Sequence, residues 1–218
     1  MYKAILFDFD GVMAETMPYH LPAWDQVLQE EYGFPLNPMS IMLNEGRPVL
    51  EIARAVFQDA GHSYDEAALL KVIQKKNEQF RANNRAAVYP ENLEIIRWAK
   101  SQWIKIALVT GTKRDNLRVV LPQSLIDDLD VIITDGDTPR GKPAPDPYLA
   151  AAKQLGLTPD ECLVVENAPI GIAAAKAAGM FCIALKTTLS EEHLQQADVT
   201  LSNHSKLVQQ LKALLSSK

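Results

Sequence analysis

Asp8 and Asp10, Thr110, Lys142, and the adjacent Glu166 and Asn167 are polar side chains that each follow a short apolar run. Two or three carboxylates and an amide gathered beside a lysine suit a hard divalent cation together with an anionic group. Oxygen-only donors favour Mg²⁺ over zinc, and no His or Cys cluster offers a zinc site. A carboxylate attacks phosphorus only where the repulsion between two anions is cancelled, which Mg²⁺ and a lysine can do. A second aspartate two residues on could protonate a leaving oxygen and later activate water. A threonine hydroxyl, with backbone N–H groups at a helix start, can hold phosphoryl oxygens.

These residues are scattered along the chain, so a scaffold must gather them. Apolar runs of strand length occur at residues 4–7, 104–109, 131–133, 163–165 and 181–185. Such runs alone do not separate a strand from buried helix. Here they alternate with stretches of helical periodicity at 91–102, 113–121, 147–155, 170–178 and 205–215, and Gly156 and Gly179 sit where helices should end. Alternation of this kind, with continuous apolar strands, predicts a parallel sheet covered on both faces. From residue 17 to 84 nothing reads as a strand. Amphipathic stretches at 21–32, 49–60 and 65–81 are separated by Gly33-Phe34-Pro35, Gly46-Arg47-Pro48 and Gly61-His62. The expected architecture is an α/β core of residues 1–15 plus 85–218, interrupted by an all-α helical cap of residues 16–84. On this plan the six polar residues fall at the carboxyl ends of parallel strands, where open α/β sheets hold their ligands.

Composition narrows the partners. The chain has 218 residues, 47% of them apolar, enough to fill a core and to exclude global disorder. A net charge of −5 without a basic run is poorly suited to a phosphate backbone, so nucleic acid is not an expected partner. No uncharged run approaches the ~20 residues a membrane helix needs, and the early Asp8 and Asp10 do not fit a signal peptide. Cys162 and Cys182, each inside a strand-like run, read as two buried thiols in a cytoplasmic context. A cap that closes works within one chain, which makes a monomer the default.

Four segments resemble the haloacid dehalogenase-like superfamily, in its phosphatase and beta-phosphoglucomutase branch. They are Asp8-Phe9-Asp10-Gly11-Val12, Val109-Thr110-Gly111-Thr112, Gly141-Lys142-Pro143-Ala144-Pro145-Asp146-Pro147-Tyr148, and Val164-Val165-Glu166-Asn167-Ala168-Pro169-Ile170-Gly171-Ile172. The resemblance spans nearly the whole chain and implies a Rossmann-like core with the cap at the family's usual place. It also implies Asp8 as a nucleophile forming an aspartyl-phosphate and Asp10 as general acid and base. Thr110, Gly111 and Lys142 would bind the phosphoryl group. Asp8, the carbonyl of Asp10, and Glu166 or Asn167 would hold Mg²⁺. The chain departs from the pattern at Asn167, where most of the branch would have aspartate, so the metal site loses a formal charge. Thr16, His20 and Trp24 resemble the mutases' first cap segment; Met13-Ala14-Glu15 does not resemble their linker.

Blander readings stand beside these. Asp8-Phe9-Asp10-Gly11 alone could be a strand-to-turn exit, and Glu166-Asn167 could also cap the helix that begins near Pro169. Lys75-Lys76 reads as a solvated helix face. Glu45 and Arg47, on a cap loop turning at Gly46, are expected to face Asp8 and bind substrate with His20. The expected function is Mg²⁺-dependent hydrolysis of a small soluble phosphate compound: pyrophosphate, a sugar phosphate or a small phospho-acid. The alternatives are a phosphosugar mutase of the beta-phosphoglucomutase type and, motivated only by Asn167, a non-catalytic phosphate-binding regulator. Dehalogenation is disfavoured, since it needs neither a metal nor a second aspartate.

Overall fold

The computed structural model describes residues 1–216. Six parallel strands form one sheet in the order β3-β2-β1-β4-β5-β6. They are β1 (Ala4–Phe7), β2 (Lys105–Val109), β3 (Val131–Ile133), β4 (Cys162–Glu166), β5 (Phe181–Leu185) and β6 (Val199–Leu201). The chain steps from β1 outward through β2 and β3, then restarts at β4 on the other side of β1. That reversal opens a crevice at the carboxyl ends of β1 and β4.

The strands are apolar on both faces because both are covered. Ile5, Phe7, Leu108, Val165 and Ile183 pack under helices α5 (Pro90–Ser101), α6 (Arg114–Val120), α7 (Gln123–Asp128) and α10 (His204–Ser216). Ala4, Leu6, Val109, Val164 and Cys182 face α8 (Asp146–Leu155) and α9 (Pro169–Ala177). Cys162 and Cys182 are free, buried thiols.

Between β1 and α5 come the four cap helices: α1 (Met17–Tyr32), α2 (Pro38–Met42), α3 (Val49–Asp59) and α4 (Glu66–Asn83). They enclose a third apolar cluster of their own, built on Trp24, Leu28, Phe57, Leu69 and Val72. Met39 and Met42 of α2 also pack against the core's second face, so this short helix ties cap to core. Asp65 caps α4 by accepting from the Ala68 N–H.

Several details differ from the sequence expectation. The 113–121 stretch is the single helix α6, which stops where Leu121 is extended before Pro122; Pro122 then caps a further short helix, α7, for which there was no expectation. Helix α1 begins at Met17 with Pro18 in its first turn, not at 21. Strand β6 and helix α2 had no expectation; three half-buried edge residues and five helical ones are too few to show a period. Among the described residues no helix is long and apolar enough to cross a membrane.

Candidate active site

Asp8 follows the last residue of β1, and its N–H continues the ladder to Val165 O at 3.0 Å. Its backbone is thereby fixed and its side chain is released at the strand's carboxyl end. Lys142 arrives from the segment after β3 and is buried at 2% exposure. Its Nζ donates to Asp8 Oδ1 at 2.6 Å, Glu166 Oε1 at 2.6 Å and Val109 O at 3.0 Å, which uses all three ammonium protons. Burial opposes the ammonium charge, but the Asp8 and Glu166 carboxylates outweigh it and hold Lys142 protonated beyond the usual lysine range. Burial is also the largest influence on Asp8 and pushes its carboxyl up; Lys142 opposes this, and Glu166 and Asp10 add to it.

Glu166 ends β4 with both oxygens engaged. Oε1 accepts from Lys142 and from the Tyr148 hydroxyl at 2.7 Å, while Oε2 accepts from the N–H groups of Asn167 at 3.0 Å and Ala168 at 3.4 Å. The capping expected of this pair is not made: the N-cap of α9 is Ala168, with no side-chain cap hydrogen bond, and Glu166 holds the two N–H groups that precede the helix. Asn167 instead sends its amide toward the cap. Its Nδ2 donates to Glu45 Oε1 at 3.0 Å and Thr188 Oγ1 at 2.8 Å, and its Oδ1 is buried with no partner. Gly11, at φ 70°, makes that position possible, because a Cβ there would lie 2.3 Å from Asn167 Nδ2.

Asp10 is held on three sides. Oδ1 accepts from Thr16 Oγ1 at 2.6 Å and faces His20 Nε2 at 3.2 Å; Oδ2 accepts from Thr112 Oγ1 at 2.8 Å. Burial alone would raise its pKa, yet the contacts with His20, Thr16 and Thr112 prevail and bring it to about 2. Asp10 is thus held as the ionised carboxylate. His20, stacked on Phe80 with ring centroids 4.0 Å apart, is pushed down by burial and by Lys76, which favours the neutral ring.

Thr110 follows β2, where its Oγ1 accepts from the Thr112 N–H at 3.0 Å. The next residue, Gly111, is where the cap loop lands. A Cβ on Gly111 would meet the carbonyl oxygens of Gly46 and Arg47 at 2.5 Å each, and one on Gly141 would meet Pro48 at 2.6 Å. Two side-chain-free positions on the core therefore receive the 46–48 loop. Gly111→Ala is expected to lift that loop and cost about 10²-fold in kcat/KM, as a misplacement of roughly an ångström does. Hydrogen exchange in residues 44–48 should quicken in the same variant; unchanged kinetics and exchange would show that the loop need not seat.

Between loop and core lies a cavity of about 60 Å³ lined by Asp10, His20, Glu45, Arg47, Lys76 and Gly111, among others. Thr110 and Lys142 instead line a neighbouring cleft of about 560 Å³ behind the loop. The cap residues line this cavity together with Asp10, whereas Asp8, which Glu45 and Arg47 were expected to face, is not among its lining residues, and Arg47 Nη1 is already paired with Glu51 at 2.9 Å. Lys76 overturns its expectation. It is 5% exposed, points toward the faces of Trp24 and Phe80, and burial lowers its pKa to about 8. Its neighbour Lys75 does sit outward and pairs with Glu31. Tyr148, Thr112 and Thr188 were not singled out, although Thr188 follows β5 and obeys the same strand-end rule as the others.

Among the described residues no group of three or more His, Cys, Asp or Glu side chains is arranged to hold a metal ion. A cation beside Asp8 would therefore draw on an amide and on backbone carbonyls as well as carboxylates. The buried, unpartnered Asn167 Oδ1 fits that donor set, since a buried amide oxygen without a partner is costly and a hard cation satisfies it. Glu166 does not fit, because its oxygens are spent.

A family model, haloacid dehalogenase-like hydrolase, matches residues 2–179. The chain is 34% identical to validoxylamine A 7'-phosphate phosphatase of Streptomyces hygroscopicus subsp. limoneus, over 93% of this chain and 94% of that one. It is 29% identical to beta-phosphoglucomutase of Bacillus subtilis, over 83% and 82% of the two chains. The solved structure of a mutant CbbY from Rhodobacter sphaeroides, in complex with xylulose-(1,5)bisphosphate, superposes with a TM-score of 0.78 at 25% identity, covering 95% of this chain and 96% of that one.

Proposed function

The chain belongs to the haloacid dehalogenase-like hydrolase family, in its phosphatase and phosphosugar mutase branch, and from that premise we propose that it is a Mg²⁺-dependent phosphohydrolase of small phosphorylated metabolites. The observation that carries this reading is the buried Asp8–Lys142–Glu166 cluster at the reversal of strand order. Lys142 neutralises one oxygen of Asp8 and leaves Oδ2 available for attack. Mg²⁺, held by Asp8, the Asp10 carbonyl and Asn167 Oδ1, would supply the remaining charge cancellation and draw the Asp8 carboxyl back to its ionised form.

The reaction proceeds in two displacements. Asp10, ionised in the free protein, takes up a proton as the substrate anion binds. Asp8 Oδ2 attacks phosphorus, an Asp8–O–P bond forms, the bond to the leaving oxygen breaks, and Asp10 delivers that proton to it. Water then attacks phosphorus while Asp10 takes its proton, and cleavage of the Asp8–O–P bond releases inorganic phosphate. Thr110 holds a phosphoryl oxygen, and Lys142, whose three donors are engaged in the free protein, would turn one of them from Asp8 or the Val109 carbonyl to another phosphoryl oxygen. Glu166 acts through Lys142, which it orients together with Tyr148. The segment 16–84 serves as the cap that excludes bulk water and reads the leaving group.

The small cavity and the buried Lys76 favour a compact leaving group with an anionic or hydroxyl-rich end, as in a sugar phosphate. Lys76 should then give a pH signature. Above about pH 8 the free enzyme loses this charge, so kcat/KM for a doubly anionic substrate is expected to fall with that apparent pKa. Lys76→Met should lower kcat/KM and remove this limb; a pH profile that survives the substitution would detach it from Lys76.

The likeness to beta-phosphoglucomutase supports a second reading, in which Asp8 returns the phosphoryl group to the sugar. A panel of phosphorylated metabolites with Mg²⁺, scored for both inorganic phosphate and isomerised sugar phosphate, separates the two. Release of phosphate from none of the panel would refute the hydrolase reading.

A further inference from the structure

Glu45 lies in the α2–α3 loop yet is only 4% exposed, one residue before Gly46, whose φ of 90° turns the loop toward the core. Its Oε1 accepts from Asn167 Nδ2 at 3.0 Å, and its Oε2 is buried without a partner. Asn167 is fixed just as tightly: with Nδ2 shared between Glu45 and Thr188, its unpartnered atom is Oδ1. The opposite amide orientation would set Oδ1 against the Glu45 carboxylate, so this assignment is electrostatically favoured. Two buried oxygen donors, one from the cap and one from the core, are thus left unsatisfied on a directly bonded pair of side chains.

The loop that carries Glu45 is not slackly placed. Its next residue, Gly46, is against the Lys142 stem, where a Cβ would come within 3.2 Å of Cδ, and its carbonyl packs on Gly111. Charge points the same way. The carboxyl groups of Asp8, Asp10, Glu45 and Glu166 outnumber the two buried lysines that stand among them, Lys142 and Lys76, and a divalent cation would offset that imbalance.

We propose that Glu45 is a cap-borne ligand of the divalent cation, directly or through one of its waters, and that it replaces the charge missing at Asn167. Cation binding and seating of the cap loop are then one event. The core alone offers a neutral amide and the single carboxylate of Asp8, and it gains the second carboxylate only when residues 44–48 are in place. A substrate phosphoryl group is therefore met by a complete cation site only in the closed form. The bland role, in which Glu45 merely orients Asn167, leaves Oε2 unsatisfied in a site closed to water.

This inference rests on the Mg²⁺ reading above, and the experiment separates the two. Mg²⁺ is titrated calorimetrically into the full-length protein without substrate, and Mn²⁺ binding is followed in parallel by loss of the free-ion paramagnetic resonance signal. Glu45→Gln is expected to weaken both affinities at least tenfold. Asn167→Asp should recover most of that loss in the Glu45→Gln background, because it puts the charge back on the core. Mg²⁺ should slow hydrogen exchange of residues 43–48 in the wild type and leave it unchanged in Glu45→Gln. Glu45→Asp, one methylene shorter, is the second variant should Glu45→Gln fail to fold, with an intermediate loss expected. Wild-type affinity within twofold in either variant overturns the proposal while leaving the Mg²⁺ reading intact. Absence of saturable binding by the wild type overturns both.

Discussion

Asp8→Asn is expected to abolish turnover, by on the order of 10⁴-fold or more, as when the nucleophile is removed from residues that act as a unit. The amide retains the shape of the carboxylate and can accept from Lys142 through its oxygen, but it cannot form the covalent phosphoryl intermediate. Lys142 also keeps Glu166 Oε1 at 2.6 Å and the Val109 carbonyl at 3.0 Å, so the ammonium is not stranded. Burial pushes the Asp8 carboxyl up in the folded protein, which means that ionised Asp8 is costly to keep there. Neutral asparagine removes that cost and loses the Lys142 attraction, two effects of opposite sign. Thermal midpoints close to wild type, with phosphate release at background, are the expected pair of results. Near-native rates at saturating substrate would remove Asp8 from the role of nucleophile.

Much of this site could be read from residue order because parallel sheets convert order into position. Each apolar run that became a strand delivered the polar residue behind it to one edge: Asp8 after β1, Thr110 after β2, Glu166 at the end of β4. Thr188 after β5 carried the same signal, unassigned. The buried Lys76 was legible too, since Leu69, Val72, Ile73, Lys76 and Phe80 keep helical spacing and all five are buried in α4. Reading Lys75-Lys76 as one charged face overlooked the roughly 100° turn between adjacent helical residues. Other features had no local signature. Whether Glu166 faces a cation or is consumed by Lys142, Tyr148 and two N–H groups depends on distances that only packing sets. The Glu45–Asn167 contact joins residues 122 apart across a cap loop, and no periodicity encodes it. The steric reason for Gly111, a carbonyl of the cap loop where its Cβ would be, exists only once the loop is seated.

Lys142→Met should be the most destabilising single change in the core and should also abolish activity. Methionine keeps the unbranched stem, so packing beneath Tyr148 is largely preserved, and the loss is one of charge. Without the ammonium, Asp8 and Glu166 face each other in a buried site, 2% and 1% exposed, with no cation between them. Removing one partner of a buried ionic cluster costs about 3–5 kcal/mol, because it strands what remains. The sign of the pH dependence follows from that stranding. Asp8 is already raised by burial and by the Glu166 and Asp10 charges, and Lys142 is its opposing influence, so the substitution raises it further. An acid whose folded pKa exceeds its unfolded value binds more protons when folded, so its penalty is absent below the unfolded value and grows as pH rises above it. The variant should therefore approach wild-type stability as pH falls toward about 4, the ordinary aspartate value, and lose it on the way to neutrality. Adding Glu166→Gln should restore part of the stability at pH 7 and none of the activity, because it removes the second charge but not the need for an ammonium at the phosphoryl group. Denaturant titrations of wild type, Lys142→Met and the double variant at several pH values measure all three differences. A pH-independent loss would trace the destabilisation to packing, and wild-type stability throughout would mean that the buried cluster is not held together by its charges.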